Sequence, residues 1–196
     1  MSSAAALRRP ALFVDRDGVL NVNRADYVKS VAEVEFLPGA LAAVARATRA
    51  GWPVVVITNQ SIIGRGLVTA AVVADINAHI QRAVEAAGGR LAGIYVCPHA
   101  PAQLCDCRKP LPGLLRRAAA ALQLDLARSL MVGDAVSDAQ AGLAAGARAM
   151  LVRTGRGADQ APRLAAAGLA HVPVVADLAA AVETWLADPA TKTPPG

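Results

Sequence analysis

The chain has 196 residues, with 20 basic and 15 acidic side chains and a net charge of +5. Apolar residues make up 55% and aromatics only 3%, with alanine at 46 positions. This composition excludes global disorder and disfavours single-stranded nucleic-acid binding on stacked rings, while a charge of +5 alone identifies no phosphate ligand.

In chain order, Met1 to Val14 is broken by Arg8-Arg9-Pro10 and has no continuous apolar core of an export signal. The expectation is a soluble cytoplasmic protein. Strands are predicted at Ala11–Asp15, Pro53–Thr58, Gly93–Cys97, Ser129–Gly133 and Ala147–Val152. Amphipathic, alanine-rich helices are predicted near 39–50, 69–87, 112–123 and 136–145, two of them opening at Pro38-Gly39 and Pro112-Gly113. Further helices are expected over 159–168 and 176–187, around a short apolar piece at His171–Val175. Strands alternating with helices predict an α/β fold: a three-layer sandwich with a parallel, Rossmann-like sheet covered on both faces. Residues 18–37 contain strand-like pieces without a helix and are expected to form a flap. Residues 97–111 have no periodicity and read as a loop. The tail 188–196 is expected to fray. With no repeat or linker visible, residues 1–196 form one domain, and the chain is expected to be a monomer.

Polar clusters follow four of the predicted strands. Asp15-Arg16-Asp17-Gly18 follows the first, Thr58-Asn59-Gln60 the second, Arg108-Lys109-Pro110 the third, and Gly133-Asp134-Ala135-Val136-Ser137-Asp138 the fourth. In open parallel sheets ligands sit beyond the carboxyl ends of strands, so one pocket would collect all four. An Asp-x-Asp pair alone reads equally well as a turn after a strand. The four clusters together, in this order, resemble the haloacid dehalogenase superfamily of phosphohydrolases.

That resemblance implies roles. Asp15 attacks phosphorus and becomes an aspartyl phosphate. Asp17 protonates the leaving alcohol and then deprotonates water. Mg²⁺ is held by Asp15, Asp134 and the backbone carbonyl of Asp17. Thr58 and Lys109 neutralise the transferring phosphoryl group. Asp138 serves as an outer-sphere or structural partner.

The second motif is Cys97-x-His99-x5-Cys105-x-Cys107. An odd number of cysteines within eleven residues argues for a metal rather than a disulfide framework. Cys97, His99, Cys105 and Cys107 form a closed set for structural Zn²⁺. A rigid zinc turn would fix Lys109 and aim Arg108 into the pocket. His79 and His171 read as structural or solvent-facing.

A zinc loop within this scaffold narrows the resemblance to heptose-1,7-bisphosphate 7-phosphatases, with histidinol-phosphate phosphatases as the nearest alternative. The carrying residues include Asp15 to Asn21, Asp26-Tyr27-Val28, Glu35 to Gly39, Thr58 to Ser61, Cys105 to Pro110 and Val152 to Gly155. The resemblance implies hydrolysis of the C7 phosphate of a heptose bisphosphate, in the biosynthesis of nucleotide-activated heptose. The implied substrate contacts are Asn23, Arg24, Ala25, Asp26, Thr58, Asn59, Gln60, Ser61, Arg108 and Lys109.

The sequence departs from that pattern at Ile62, where the family commonly has Gly, and at Ala135, where it has Lys or Arg. The implied partner is a small phosphorylated sugar, with no nucleic acid and no membrane, and no separate cap domain screens the pocket. A polynucleotide-end phosphatase and a zinc-stabilised phosphate- or RNA-binding module without catalysis are the other readings. Phosphate release that requires Mg²⁺ separates the enzyme from the binding module, and a kcat/KM comparison on both heptose-1,7-bisphosphate anomers and histidinol phosphate decides the substrate.

Overall fold

The computed structural model describes residues 8–189. Six strands, β1 (Leu12–Val14), β2 (Val54–Asn59), β3 (Leu91–Cys97), β4 (Leu130–Gly133), β5 (Arg148–Val152) and β6 (Val174–Val175), form one sheet in the order β3-β2-β1-β4-β5-β6. Every pairing is parallel. The helices are α1 (Ala40–Arg49), α2 (Ser61–Gly64), α3 (Ala70–Ala86), α4 (Gly113–Leu122), α5 (Val136–Ala145), α6 (Gly157–Gln160), α7 (Arg163–Ala166) and α8 (Leu178–Ala187).

Alternation along the strands divides the core between two faces. Leu12, Val14, Val54, Val56, Leu130 and Val132 face α1, α3 and α8, where Val44, Ile76, Ile80, Val182 and Trp185 are buried against them. Phe13, Val55, Ile57 and Met131 point the other way, onto Leu114, Leu115 and Ala118 of α4 and Ala141 of α5. The expected three layers are present. Small residues let the layers approach closely. A Cβ on Gly142 of α5 would lie 2.7 Å from Cβ of Met131 on β4.

The register aligns the strand ends. Val14 is level with Val56 and Val132. Asp15 therefore emerges beside the ends of β2 and β4, and its N–H donates to the carbonyl of Val132 at 2.9 Å. With β2 on one side and β4 on the other, β1 marks the point where the chain reverses its direction of winding, the place where such sheets bind ligands.

Several elements differ from expectation. The 159–168 helix is two single turns, α6 and α7, because Pro162 between them cannot continue the α-helical hydrogen-bond ladder. The single turn α2, directly after β2, was not anticipated. At the helix starts, Gly39 is the N-cap of α1 with φ +75°, and Pro112 is the N-cap of α4 rather than a first-turn residue. The flap pairs only through isolated bridges at Asn21–Phe36 and Asp17–Asn21, and Val31–Glu33 forms a 3₁₀ turn. It is anchored from within by buried Val19, Leu20 and Val28. Of the 188–196 tail, residues 190–196 lie outside the described residues, as do residues 1–7 of the start. Among the described residues no helix is long and apolar enough to cross a membrane.

Candidate active site

A cavity of about 370 Å³ opens at the carboxyl ends of β1, β2 and β4. Asp15, Asp17, Thr58, Asn59, Gln60, Ser61, Arg108 and Lys109 line it, as do Asn23 and Arg24 from the flap. The four separate clusters of the sequence therefore meet in one place.

Lys109 organises the floor. Its Nζ lies 2.9 Å from Oδ1 of Asp15 and 2.6 Å from Oδ1 of Asp138, and it donates to the carbonyl of Ile57 at 2.8 Å. The side chain is buried. Burial alone would lower the ammonium's pKa, but Asp138 and Asp15 more than reverse that effect, so it stays charged. The backbone at Lys109 is held by Asn59, whose Oδ1 accepts from Lys109 N and whose Nδ2 donates to the Lys109 carbonyl, both at 3.1 Å.

Asp15 carries an N–H donor from Arg16 at 2.7 Å on Oδ1. Burial raises its carboxyl to about 6, with Lys109 opposing the rise and Asp138 adding to it. Asp134 is fully buried, and its carboxyl is raised by burial and then by the charge of Asp15. Oxygens of Asp15, Asp134 and Asp138 all lie within 4.8 Å of one another.

Asp15 and Asp138 share the buried ammonium of Lys109, and Asp134 meets only the exposed guanidinium of Arg156, so three buried carboxylates remain short of positive charge. A hard divalent cation fits such an oxygen set. Asp138 is already engaged on both oxygens, by Lys109 and by the Ala135 N–H at 2.9 Å. Asp15 takes Lys109 and the Arg16 N–H on the same oxygen, Oδ1, and Asp134 is held only by the exposed Arg156, so these two are the carboxylates a cation would engage.

Gly18 makes the close approach to Asp134 feasible. Its φ is +88°, and a Cβ there would lie 2.1 Å from Oδ2 of Asp134.

Sequence reasoning missed Arg156. Its backbone N–H donates to Oδ2 of Asp134 at 2.8 Å, and its Nη2 lies 3.3 Å from Oδ1. It also lines the cavity. The recognised stretch Val152 to Gly155 stops one residue short of it. Thr154 in that stretch donates through Oγ1 to the carbonyl of Gly18 at 2.7 Å, which ties this loop to the first motif. Ala135 contributes no cation, but Arg156 brings one to the same aspartate.

Tyr27, Val28 and Ser137 also line the cavity unforeseen, and Arg65, which the sequence offers with Arg24 and Arg108 as a cation for a second phosphate, lines it as well. Tyr27 sits at φ +67°, a left-handed conformation uncommon for a large side chain.

Two of the expected contacts lie outside the cavity lining. Ala25 and Asp26 are not among the residues lining the cavity. Ala25 is exposed. The Asp26 carboxylate turns to Lys29 and Arg24, which hold it below the usual carboxylate range.

The second motif also assembles. Sγ of Cys97 is 3.6 Å from Nδ1 of His99, 3.8 Å from Sγ of Cys105 and 3.2 Å from Sγ of Cys107, and His99 Nδ1 is 3.3 Å from Cys107 Sγ. Four ligands at about 2.0–2.3 Å from a tetrahedral Zn²⁺ would be separated by edges of similar length. All three cysteines are free. Burial, then the neighbouring Cys107 thiol, pushes the Cys97 thiol up to about 12. Without a cation it would therefore stay protonated. Cys107 is buried against α4, and Arg108 follows it directly, its Nη1 donating to the His99 carbonyl at 3.3 Å. His79 stacks on Phe36 with ring centroids 5.9 Å apart, and His171 is exposed.

The fold and the strand-end constellation define a haloacid dehalogenase-like hydrolase, and residues 106–181 match the family model described as HAD-hydrolase-like. Similarity extends well beyond that segment. The D-glycero-beta-D-manno-heptose-1,7-bisphosphate 7-phosphatase of Bordetella bronchiseptica is 44% identical over 176 residues, 89% of this chain and 97% of that protein. The enzyme of that name from Pseudomonas putida is 43% identical over 146 residues, 74% and 83% of the two chains.

Among solved structures, D,D-heptose 1,7-bisphosphate phosphatase from B. bronchiseptica, crystallised with magnesium and phosphate, superposes with a TM-score of 0.84. It is 43% identical, over 90% of this chain and 98% of that one. The corresponding enzyme of Burkholderia thailandensis superposes with a TM-score of 0.70 at 36% identity, over 92% and 100%. The chain belongs to the heptose-1,7-bisphosphate 7-phosphatase family of the haloacid dehalogenase-like hydrolases.

Proposed function

We propose that the protein is a Mg²⁺-dependent phosphatase that removes the C7 phosphate of D-glycero-D-manno-heptose 1,7-bisphosphate through an aspartyl-phosphate intermediate. One observation carries this reading. Asp15, Asp17, Thr58 and Lys109 line a single polar cavity whose walls also present Arg24, Arg65, Arg108 and Arg156. A substrate with phosphate at both ends needs cations beyond those at the reacting phosphorus, and these arginines can supply them. Likeness to enzymes named for that substrate supports the same choice.

In this reading an Asp15 carboxylate oxygen forms a bond to phosphorus while the bond from phosphorus to the C7 oxygen breaks. Asp17 gives its proton to that departing oxygen. Asp17 then takes a proton from water, the water oxygen bonds to phosphorus, and the bond to Asp15 breaks to release inorganic phosphate and restore the carboxylate.

Lys109 keeps Asp15 oriented and offsets its charge, and Thr58 donates to the phosphoryl oxygens. Asp15, Asp134 and the Asp17 carbonyl would hold Mg²⁺, which supplies positive charge between two anions that otherwise repel. Cys97, His99, Cys105 and Cys107 would hold Zn²⁺ as a structural clamp on the loop that carries Arg108 and Lys109. Three free thiols in one loop suit a reducing cytoplasm, where such a clamp persists without disulfide formation. The reading of a single domain is supported by one sheet that runs through the described residues.

The test is phosphate release from the α and β anomers of the heptose bisphosphate and from histidinol phosphate, with and without Mg²⁺. The expected result is the highest kcat/KM on one heptose anomer, none without Mg²⁺, and none in Asp15→Asn. Preference for histidinol phosphate would overturn the substrate. No turnover of any phosphate ester would overturn the reaction.

A further inference from the structure

Beside the reacting residues lies a buried polar chain that the mechanism has not used. Arg16 is 1% exposed, and Asn77 of α3 is buried. Arg16 Nη1 donates to Asn77 Oδ1 at 3.1 Å, which anchors the guanidinium on a helix outside the cavity floor. Its Nε and Nη2 reach both oxygens of Asp17, at 3.2 and 2.9 Å, and Nη2 also donates to Gln60 Oε1 at 3.0 Å.

Gln60 Nε2 donates to Asp17 Oδ2 at 2.8 Å and to Thr58 Oγ1 at 2.7 Å. The amide orientation is forced. A carboxylate requires the NH₂ end, and a guanidinium requires the oxygen. Gln60 thus has both N–H donors engaged inside the protein and none left for a sugar hydroxyl.

The consequence falls on Thr58. Its hydroxyl carries one proton and accepts from Gln60. The proton must therefore point elsewhere, and Thr58 lines the cavity. Gln60 decides the polarity of this hydroxyl: acceptor toward the protein, donor toward the bound phosphoryl group.

We infer that Gln60 is a positioning residue that orients the Thr58 hydroxyl as a donor to the transferring phosphoryl group, and that Arg16, braced by Asn77, fixes Gln60. This rests on the phosphatase reading above and replaces the expected sugar contact of Gln60. Three buried side chains with no partner in the substrate thus set the direction of one catalytic proton.

The experiment is a double-mutant cycle on Gln60 and Thr58, read as kcat/KM for p-nitrophenyl phosphate with Mg²⁺. That parameter reports phosphoryl transfer to Asp15, and nitrophenolate departs without a proton, so the acid role of Asp17 drops out. Gln60→Glu keeps the acceptor for Arg16 and the side-chain shape but offers an acceptor where Thr58 now finds a donor. Gln60→Met removes all three contacts.

Each is expected to lower kcat/KM about 100-fold. On a Thr58→Ala background each should cost less than about threefold, because the hydroxyl they act through is gone. Equal losses in both backgrounds, or wild-type values for both Gln60 variants, would overturn the inference and leave the phosphatase intact. An inactive wild-type protein would overturn both together.

Discussion

Lys109→Met offers the sharpest test of how the site is held. The substitution keeps the length of the side chain and removes its charge. It leaves Asp15 and Asp138 facing one another without the ammonium that now sits 2.9 and 2.6 Å from them, and leaves the Ile57 carbonyl without its side-chain donor. Removing one partner of a buried ion pair costs about 3–5 kcal/mol, out of a total stability of about 5–15 kcal/mol. With a urea m-value of about 2 kcal/mol/M, the unfolding midpoint should fall by about 2 M.

The dependence on pH gives the reasoning a second edge. In the metal-free protein the Asp15 carboxyl is raised by burial to about 6 from an ordinary 3.8. Between those values the folded protein binds more protons than the unfolded chain, so stability falls as pH rises from about 4 to 6. Lys109 opposes that rise. Without it Asp15 stays protonated to higher pH, and the loss of stability extends above 6. The deficit of the variant against wild type should therefore be smaller near pH 4 than near pH 7.5.

Urea unfolding followed by circular dichroism, in EDTA at both pH values, measures it. A variant within about 1 kcal/mol of wild type at pH 7.5, or a deficit that shrinks as pH rises, would refute the account of Lys109 as the counter-charge of the floor.

Two other perturbations follow from close contacts. Gly18→Ala imposes a side chain at φ +88° and places Cβ 2.1 Å from Oδ2 of Asp134. It should destabilise by about 2–4 kcal/mol and weaken Mg²⁺ binding, as read by thermal unfolding and isothermal titration. The protein as purified should hold about one zinc per chain by elemental analysis. Cys107→Ser should lose the zinc together with stability and turnover, because Arg108 and Lys109 continue directly from that ligand. Normal kinetics and stability in a zinc-free variant would separate the clamp from the catalytic loop.

The sequence by itself determined the alternation of the fold and most of the cavity. Buried strands read as continuous apolar runs, and their polar endings Asp15, Thr58 and Asp134 stand out because polar and charged groups are costly to bury next to such runs. The Cys97 to Cys107 ligand set was legible for a similar reason: four ligand atoms within eleven residues need little help from the fold to converge. What lay beyond the sequence were relations between side chains far apart in the chain.

Arg156 sits 22 residues from Asp134 and belongs to no periodic pattern, so only the adjacency of β4 and β5 brings it to the carboxylate. Asp26, plausible as a substrate ligand by position, is turned away by Lys29 and Arg24. Gln60 reads as one more polar residue of a loop until Arg16, Asp17 and Thr58 surround it. A hydrogen bond has a direction, and which atom donates is decided only once the partners from three different segments are packed together, out of water, in one place.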